Sequence, residues 1–184
     1  MDDIQEESDH QQRKYSRVDA FIPLEYKLIK PQNKELLRPR MVSESILAEF
    51  KSLPNPDDQL IAQWLQSINA KLDEIIRMLA LQQGGFNCLN IMKVNISGGG
   101  LSLNTTESFN PGDILEIKIL LGIKAPLALF LYGEVVDAAL KPEGYNTCVL
   151  FINMDDFARD EIIHFVFETE REILREKRRK SLNL

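Results

Sequence analysis

The second half of the chain is divided into short apolar segments by turns rich in glycine and proline, and this pattern constrains the fold most strongly. Five segments of strand-like composition follow Gly85, at residues 87–96, 101–105, 114–121, 127–138 and 145–153. The turns between them contain Gly98-Gly99-Gly100, Pro111-Gly112-Asp113 and Pro142-Glu143-Gly144. Short strands at such spacing are typical of a small antiparallel barrel or sandwich.

A sixth strand is predicted near the start of the chain. From Val18 to Leu28, apolar residues occupy every second position, and alternate side chains of a strand point to opposite faces. Pro23 lacks a backbone donor, which favours an edge position or an irregularity in this strand. The sequence therefore predicts an α+β protein, mainly β, with six strands and additional helices.

The strongest helical periodicity lies between the first and second predicted strands. Six isoleucine and leucine residues follow a 4-3 heptad spacing: Ile61, Leu65, Ile68, Leu72, Ile75 and Leu79. Asp57 or Asp58 is expected to cap this helix, and Gly84-Gly85 to end it. Its apolar face could pack on the chain's own barrel. The polar residues around it favour a partner helix instead, with Trp64 beside the contact and both dimer and tetramer open.

The remaining segments predict helices and a tail. Residues 1–12 contain five acids and no Lys or Arg, which predicts a disordered tail before a single domain at residues 13–184. A short helix is expected at residues 42–50, within a helical insertion at residues 31–86. An amphipathic helix is expected at residues 156–180, with Asp155-Asp156 at its N-cap.

Composition excludes several classes of protein. The 184 residues carry a net charge of −6, which argues against a general nucleic-acid binder. No apolar run is long enough for a membrane span, and the acidic start does not resemble a signal peptide. Cys88 and Cys148 are expected to be reduced core thiols, so a cytoplasmic location is predicted. We find no catalytic motif and no metal-ligand spacing, and we expect neither an enzyme nor a cofactor.

Two short motifs are the candidates for ligand binding. The first is Arg13-Lys14-Tyr15-Ser16-Arg17, an RxxxR sequence just before the first strand. Two guanidinium groups there could grip an anion or stack on a purine. The second is Asn95-Ile96-Ser97-Gly98-Gly99-Gly100, an NxSxxG sequence at a strand end. It could instead be a hairpin turn in which Asn and Ser bond to nearby backbone and the glycines supply positive φ.

Together the two motifs resemble the PilZ domain, a bacterial receptor module for cyclic di-GMP. The resemblance covers residues 13–29 and about 87–180, and it implies a six-stranded antiparallel barrel. It also implies that Arg13 and Arg17 grip the guanines and phosphates of the nucleotide. Asn95 would then hydrogen-bond a guanine edge, Ser97 would support a phosphate, and Gly100 would leave room for the ligand. PilZ proteins act in motility, biofilm and virulence pathways.

The insertion at residues 31–86 is similar to that of an atypical tetrameric PilZ subgroup, whose members assemble through such helices. The leading hypothesis is therefore a non-catalytic cyclic di-GMP receptor that self-associates through the heptad helix and relays the signal to an effector protein. An oligomeric adaptor that does not bind nucleotide is the alternative. A third interpretation, binding of nucleic acid or an anionic membrane by residues 171–180, is disfavoured by interleaved glutamates.

Overall fold

The computed structural model describes residues 15–30, 34–41, 58–122 and 126–182. These residues form seven strands, two α-helices and two short 3-10 turns. The strands are β1 (Arg17–Ile29), β2 (Arg40–Met41), β3 (Asn90–Ser97), β4 (Gly100–Thr105), β5 (Ile114–Leu121), β6 (Leu127–Lys141) and β7 (Gly144–Phe151). The helices are α1 (Gln59–Gln83) and α2 (Asp156–Leu182), and the 3-10 turns are Lys34–Leu36 and Phe86–Cys88.

Some sequence predictions fall outside the described residues. They are the disordered tail at 1–12, Arg13, the short helix at 42–50 and the capping role of Asp57. The division into a tail, a domain at 13–184 and an oligomerisation insertion at 31–86 stays a prediction.

Six strands close into an antiparallel barrel, which confirms the predicted fold class. The strand order is β6-β5-β1-β3-β4-β7, and β7 pairs back with β6. Closure depends on β6, whose 15 residues pair first with β5 and then with β7. The sequence did not predict β2, which pairs with β6 at Phe130 and Leu129, because two residues carry no periodicity.

The alternation of β1 orients its side chains on the two faces of the barrel. Val18, Ala20, Ile22 and Leu24 are buried in the core, so the intervening residues face outward. β1 pairs with β3 up to Leu24 and with β5 from Leu24 onward. Pro23 thus lies where β1 changes partner, and β1 is not an edge strand. Of the two predicted alternatives for Pro23, the edge position was wrong. The change of partner is the irregularity in this strand.

Helix α1 stands largely clear of the barrel. The Asp58 carboxylate accepts hydrogen bonds from the backbone N–H groups of Leu60 and Ile61, and Gly84 ends the helix as its C-cap. Ala80 is the one buried residue of the helix. The six heptad residues named above are each 45–53% exposed, so the barrel does not cover this face.

Helix α2 packs one face against the barrel and then extends beyond it. Asp155 Oδ1 accepts from the backbone N–H of Ala158 at 2.7 Å, which confirms the predicted N-cap. Ile162 and Val166 are buried in the core. From Leu174 to Ser181 every residue is exposed. Neither α1 nor α2 combines the length and apolar character that crossing a membrane would require, and they are the two α-helices of the described residues.

Both cysteines were predicted to lie in the core, and neither does. Both cysteines are free, but Cys88 is exposed and Cys148 is half-buried. Residues 86–88 form a 3-10 turn and β3 begins only at Asn90. Cys88 therefore precedes the strand in which the sequence had placed it.

Candidate functional site

The structure brings the second arginine of the first motif beside the second motif, on the outer face of the barrel. Arg17 is the first residue of β1 and lies directly across from Ser97, the last residue of β3. Asp19 lies across from Asn95 in the same antiparallel pair. We call the surface formed by Tyr15, Arg17, Asp19, Asn95 and the 98–100 turn the candidate site.

Asn95 makes a specific contact on this surface. Its Nδ2 donates to Asp19 Oδ1 at 2.8 Å, between residues 76 positions apart in the sequence. Asp19 is exposed and Asn95 is half-buried. The hairpin interpretation expected Asn95 to bond to the backbone of its own turn. Its Nδ2 instead donates to a residue of a different strand.

The Ser97 hydroxyl does serve its own turn. Ser97 is buried, and its Oγ donates to the Gly100 carbonyl at 3.1 Å. The same oxygen accepts from the Gly99 N–H at 3.4 Å. Ser97 thus braces the backbone between β3 and β4, and its support of a phosphate stays a prediction.

The three glycines of the turn are explained by close packing. None of them has positive φ, so that part of the hairpin interpretation was wrong. A Cβ on Gly100 would lie 2.2 Å from the Val149 carbonyl oxygen, and one on Gly98 would lie 2.7 Å from Ile163 Cγ1. Gly100 therefore allows β7 to approach β4, and Gly98 allows α2 to approach the turn.

Tyr15, from within the RxxxR motif, covers the glycine turn. Its ring carbons would lie 3.1 Å from a Cβ on Gly98 and 3.3 Å from one on Gly99. Arg159 of α2 donates from Nη1 to the Tyr15 hydroxyl at 3.2 Å, and its guanidinium lies 5.8 Å from the ring centroid. The segment before β1 is thereby connected to α2.

A row of polar side chains continues across the outer face from Asn95. Ser102 of β4 lies opposite Asn95, Cys148 of β7 opposite Ser102, and Asp137 of β6 opposite Cys148. Burial raises the pKa of the Cys148 thiol, and the Asp137 carboxylate raises it further, while Arg17 acts in the opposite direction. The influence of Arg17 on this pKa indicates that its charge acts on the surface around Cys148.

Sequence reasoning missed Tyr15, Asp19 and Arg159. Tyr15 lies inside the RxxxR motif, so its position was visible although its contact with α2 was not. The alternation of β1 predicts that Asp19 lies on the same strand face as Arg17, so the sequence contained a signal for this residue. No local signal points to Arg159, because only the packing of α2 on the turn brings it to the site.

The candidate site combines a cation, two acceptor groups and a glycine turn that the Tyr15 ring covers. Arg17 is exposed and free to bind an anion, since its planar guanidinium offers paired donors. Asp19 and Asn95 offer oxygen acceptors to a base edge or hydroxyl. Within the described ranges, no group of three or more His, Cys, Asp or Glu side chains is placed to hold a metal ion.

A family model described as the PilZ domain matches residues 77–168, which is half of the chain. The chain belongs to the PilZ domain family. Asn95, Ser97 and Gly100 lie inside the matched range, whereas the RxxxR motif precedes it. The matched range contains strands β3 to β7 and the start of α2.

A solved structure with the same fold is a tetrameric PilZ domain protein from Xanthomonas campestris, described as self-assembled via a helical bundle. It is 16% identical to this chain, with a TM-score of 0.60. The alignment covers 95% of this chain and 99% of that one, so the similarity in fold includes the α1 region. No curated protein matches the chain.

Proposed function

We propose that this PilZ protein is a non-catalytic receptor for cyclic di-GMP that acts in the bacterial cytoplasm. The nucleotide binds on the outer face of the barrel, where Arg13 and Arg17 grip guanines and phosphates and Asn95 hydrogen-bonds a guanine edge. The observation that carries the proposal is the register of β1 against β3, which places Arg17 opposite Ser97, two residues along β3 from Asn95 and next to the glycine turn. An exposed cation and an amide on one face suit a ligand that is both anionic and rich in base-edge groups.

Ser97 and Gly100 contribute to this site by shaping it. The Ser97 hydroxyl bonds within the turn, and Gly100 lets β7 come close to β4. At Gly99 the Cβ direction meets the Tyr15 ring at 3.3 Å, and no other group of the described residues lies within 4 Å there. A flat ligand could approach there once Tyr15 moves aside.

Tyr15 provides a route for relaying the signal. It belongs to the RxxxR motif and bonds to Arg159 of α2. When the two arginines close over a nucleotide, Tyr15 changes its position and its contact with α2 changes too. We propose that this change alters the surface seen by an effector protein or by a neighbouring subunit.

Calorimetric titration with cyclic di-GMP tests the receptor function. We expect micromolar or tighter binding to the full chain, and loss of binding in the Arg13→Ala/Arg17→Ala variant, because both removed side chains carry charge-assisted donors. Arg171→Ala/Arg175→Ala is the matched control, since it removes two arginines from the exposed end of α2. GTP should give no comparable binding.

Absence of binding to the native chain would favour the second candidate, an oligomeric PilZ adaptor that does not bind nucleotide. A specific observation supports that alternative: Ser97 and Gly100 have structural roles in the turn that no ligand is needed to explain.

We further propose that the protein self-associates through α1. The six heptad residues form an uncovered stripe along a helix of 25 residues, about 37 Å long. Exposed isoleucine and leucine at 4-3 spacing lose contact with water when a second helix packs against them. The helical bundle of the Xanthomonas protein is consistent with such an assembly.

Light scattering tests self-association. The native chain should have the mass of a dimer or tetramer, and Leu72→Glu/Ile75→Glu should give a monomer, because two charges in the stripe cannot be buried without large desolvation. Gln63→Glu/Gln66→Glu adds the same charge to the polar side of the same helix and should leave the mass unchanged. An equal mass for the native chain and the Leu72/Ile75 variant would refute the proposal.

A further inference from the structure

A carboxylate lies within the surface that we propose binds an anionic nucleotide. Asp19 is exposed, faces the same side of β1 as Arg17, and is the cross-strand partner of Asn95. A negative charge there opposes the binding of phosphate. A surface that recognised only phosphate would bind more tightly with a neutral residue at this position, so Asp19 calls for another explanation.

Asp19 fixes the orientation of the Asn95 amide. An ionised carboxylate only accepts hydrogen bonds, so the amide nitrogen of Asn95 must face Asp19, as it does at 2.8 Å. The Asn95 oxygen is therefore directed away from Asp19 and is available to accept. Asp19 Oδ2 makes no hydrogen bond or ion pair with the part of the chain that the structure describes. The pair thus presents two acceptor oxygens to a ligand.

We infer that Asp19 is a specificity-determining residue, which makes the candidate site select guanine over other purines. The Watson–Crick edge of guanine carries two neighbouring donors, N1–H and the N2 amino group, which match two acceptors. Adenine has an acceptor at N1, which the pair repels. Hypoxanthine keeps N1–H but lacks the amino group, so it forgoes one bond and leaves one acceptor unsatisfied. This inference rests on the proposed receptor function.

Calorimetric titration of the full chain with three cyclic dinucleotides tests the inference. The ligands are cyclic di-GMP, cyclic di-AMP and the inosine analogue of cyclic di-GMP. We expect the native chain to prefer cyclic di-GMP over the inosine analogue by about tenfold or more, the effect of one base-edge hydrogen bond. Equal binding of these two ligands by the native chain would overturn the inference without any variant.

The Asp19→Asn variant tests the carboxylate itself. It keeps the shape of the side chain, removes its charge and leaves the Asn95 amide free to turn. We expect cyclic di-GMP to bind about tenfold more weakly, and its advantage over the inosine analogue to fall toward one. Simple charge repulsion gives the opposite sign, because loss of a negative charge would then tighten binding. Tighter or unchanged binding with undiminished discrimination would overturn the inference.

Asp73→Asn is the matched control, because Asp73 is exposed on α1 and the charge change is the same. It should bind all three nucleotides as the native chain does, and circular dichroism should show that both variants are folded. Failure of the native chain to bind any of the nucleotides would refute the proposed function itself. Native binding of cyclic di-GMP with no effect of Asp19→Asn would refute only the role of Asp19.

Discussion

At the scale of single residues, the glycines of the β3–β4 turn show how motif and structure are connected. Their backbone angles are accessible to any residue, yet the space beside Gly100 and Gly98 is filled by Val149 and Ile163. The last glycine of NxSxxG is therefore required by the approach of β7. A motif associated with a ligand thus depends on the packing of the barrel as well.

The glycine argument predicts a difference in stability between two neighbouring alanine variants. Gly100→Ala should lower the free energy of unfolding by about 1–3 kcal/mol, because its Cβ would lie 2.2 Å from a backbone oxygen that cannot move freely. Gly99→Ala should change it by less than about 1 kcal/mol, since its nearest neighbour is the Tyr15 side chain at 3.3 Å. Urea denaturation measures both values, and equal losses would contradict the packing explanation.

The residue types of the candidate site were visible in the sequence, but their partners were not. Arg17 and Asn95 were identified from their motifs, and the structure places them on neighbouring strands, two positions apart in register. The bond between Asn95 and Asp19 depends on the register of β1 against β3, which a local pattern does not specify. The bond of Ser97 within its own turn was one of the two expectations for this residue, and its role toward a ligand stays a prediction.

At the scale of helices and strands, long periodic segments were predicted well and short or irregular ones were not. The heptad predicted α1, Asp58 is one of the two caps proposed for it, and the amphipathic pattern predicted α2. The start of β3 was placed too early because residues 86–88 have strand composition but form a 3-10 turn. β6 extends to Lys141, beyond the predicted end, because pairing with β7 stabilises residues that lack a clear alternation.

The contact between α2 and the segment before β1 gives a prediction at this scale. Arg159→Gln should make the chain next to Tyr15 more susceptible to limited proteolysis, because the ring loses the hydrogen bond from Arg159 and the guanidinium over it. Cyclic di-GMP should restore part of the protection by ordering the RxxxR segment. Mass spectrometry of the cleavage products measures the rates.

Arg171→Gln is the control for this experiment. It makes the same substitution further along α2, where Arg171 pairs with Glu168 at 2.7 Å, and it should leave the cleavage rate unchanged. Equal rates for the native chain and Arg159→Gln would mean that α2 does not hold the segment.

At the scale of the whole molecule, the barrel separates two surfaces with different proposed tasks. The candidate site lies on the outer face of β1, β3 and β4, and the polar row extends it over β7 toward Asp137 on β6. The heptad stripe lies on α1, of which only Ala80 is buried. The two surfaces share no residue, so the self-association that we propose through α1 does not itself use the residues of the candidate site.

Cys148 provides a probe of the ligand's position in the intact protein. It is half-buried in the polar row beside the candidate site, whereas Cys88 is exposed just before β3 begins and serves as an internal control. Only the thiolate reacts with an alkylating reagent. Because burial raises the pKa of Cys148, its reaction is slow near neutral pH and accelerates as the pH rises, so the measurement belongs near pH 8.5, about the pKa of a free thiol.

The most direct test is therefore the alkylation rate of Cys148 and Cys88, followed by peptide mass spectrometry with and without saturating cyclic di-GMP. We predict that the nucleotide slows modification of Cys148 several-fold, that Cys88 is unaffected, and that Arg17→Ala abolishes the protection. If cyclic di-GMP binds but Cys148 reacts at the same rate, or if Cys88 alone is protected, the nucleotide occupies another part of the molecule and the proposed site is wrong.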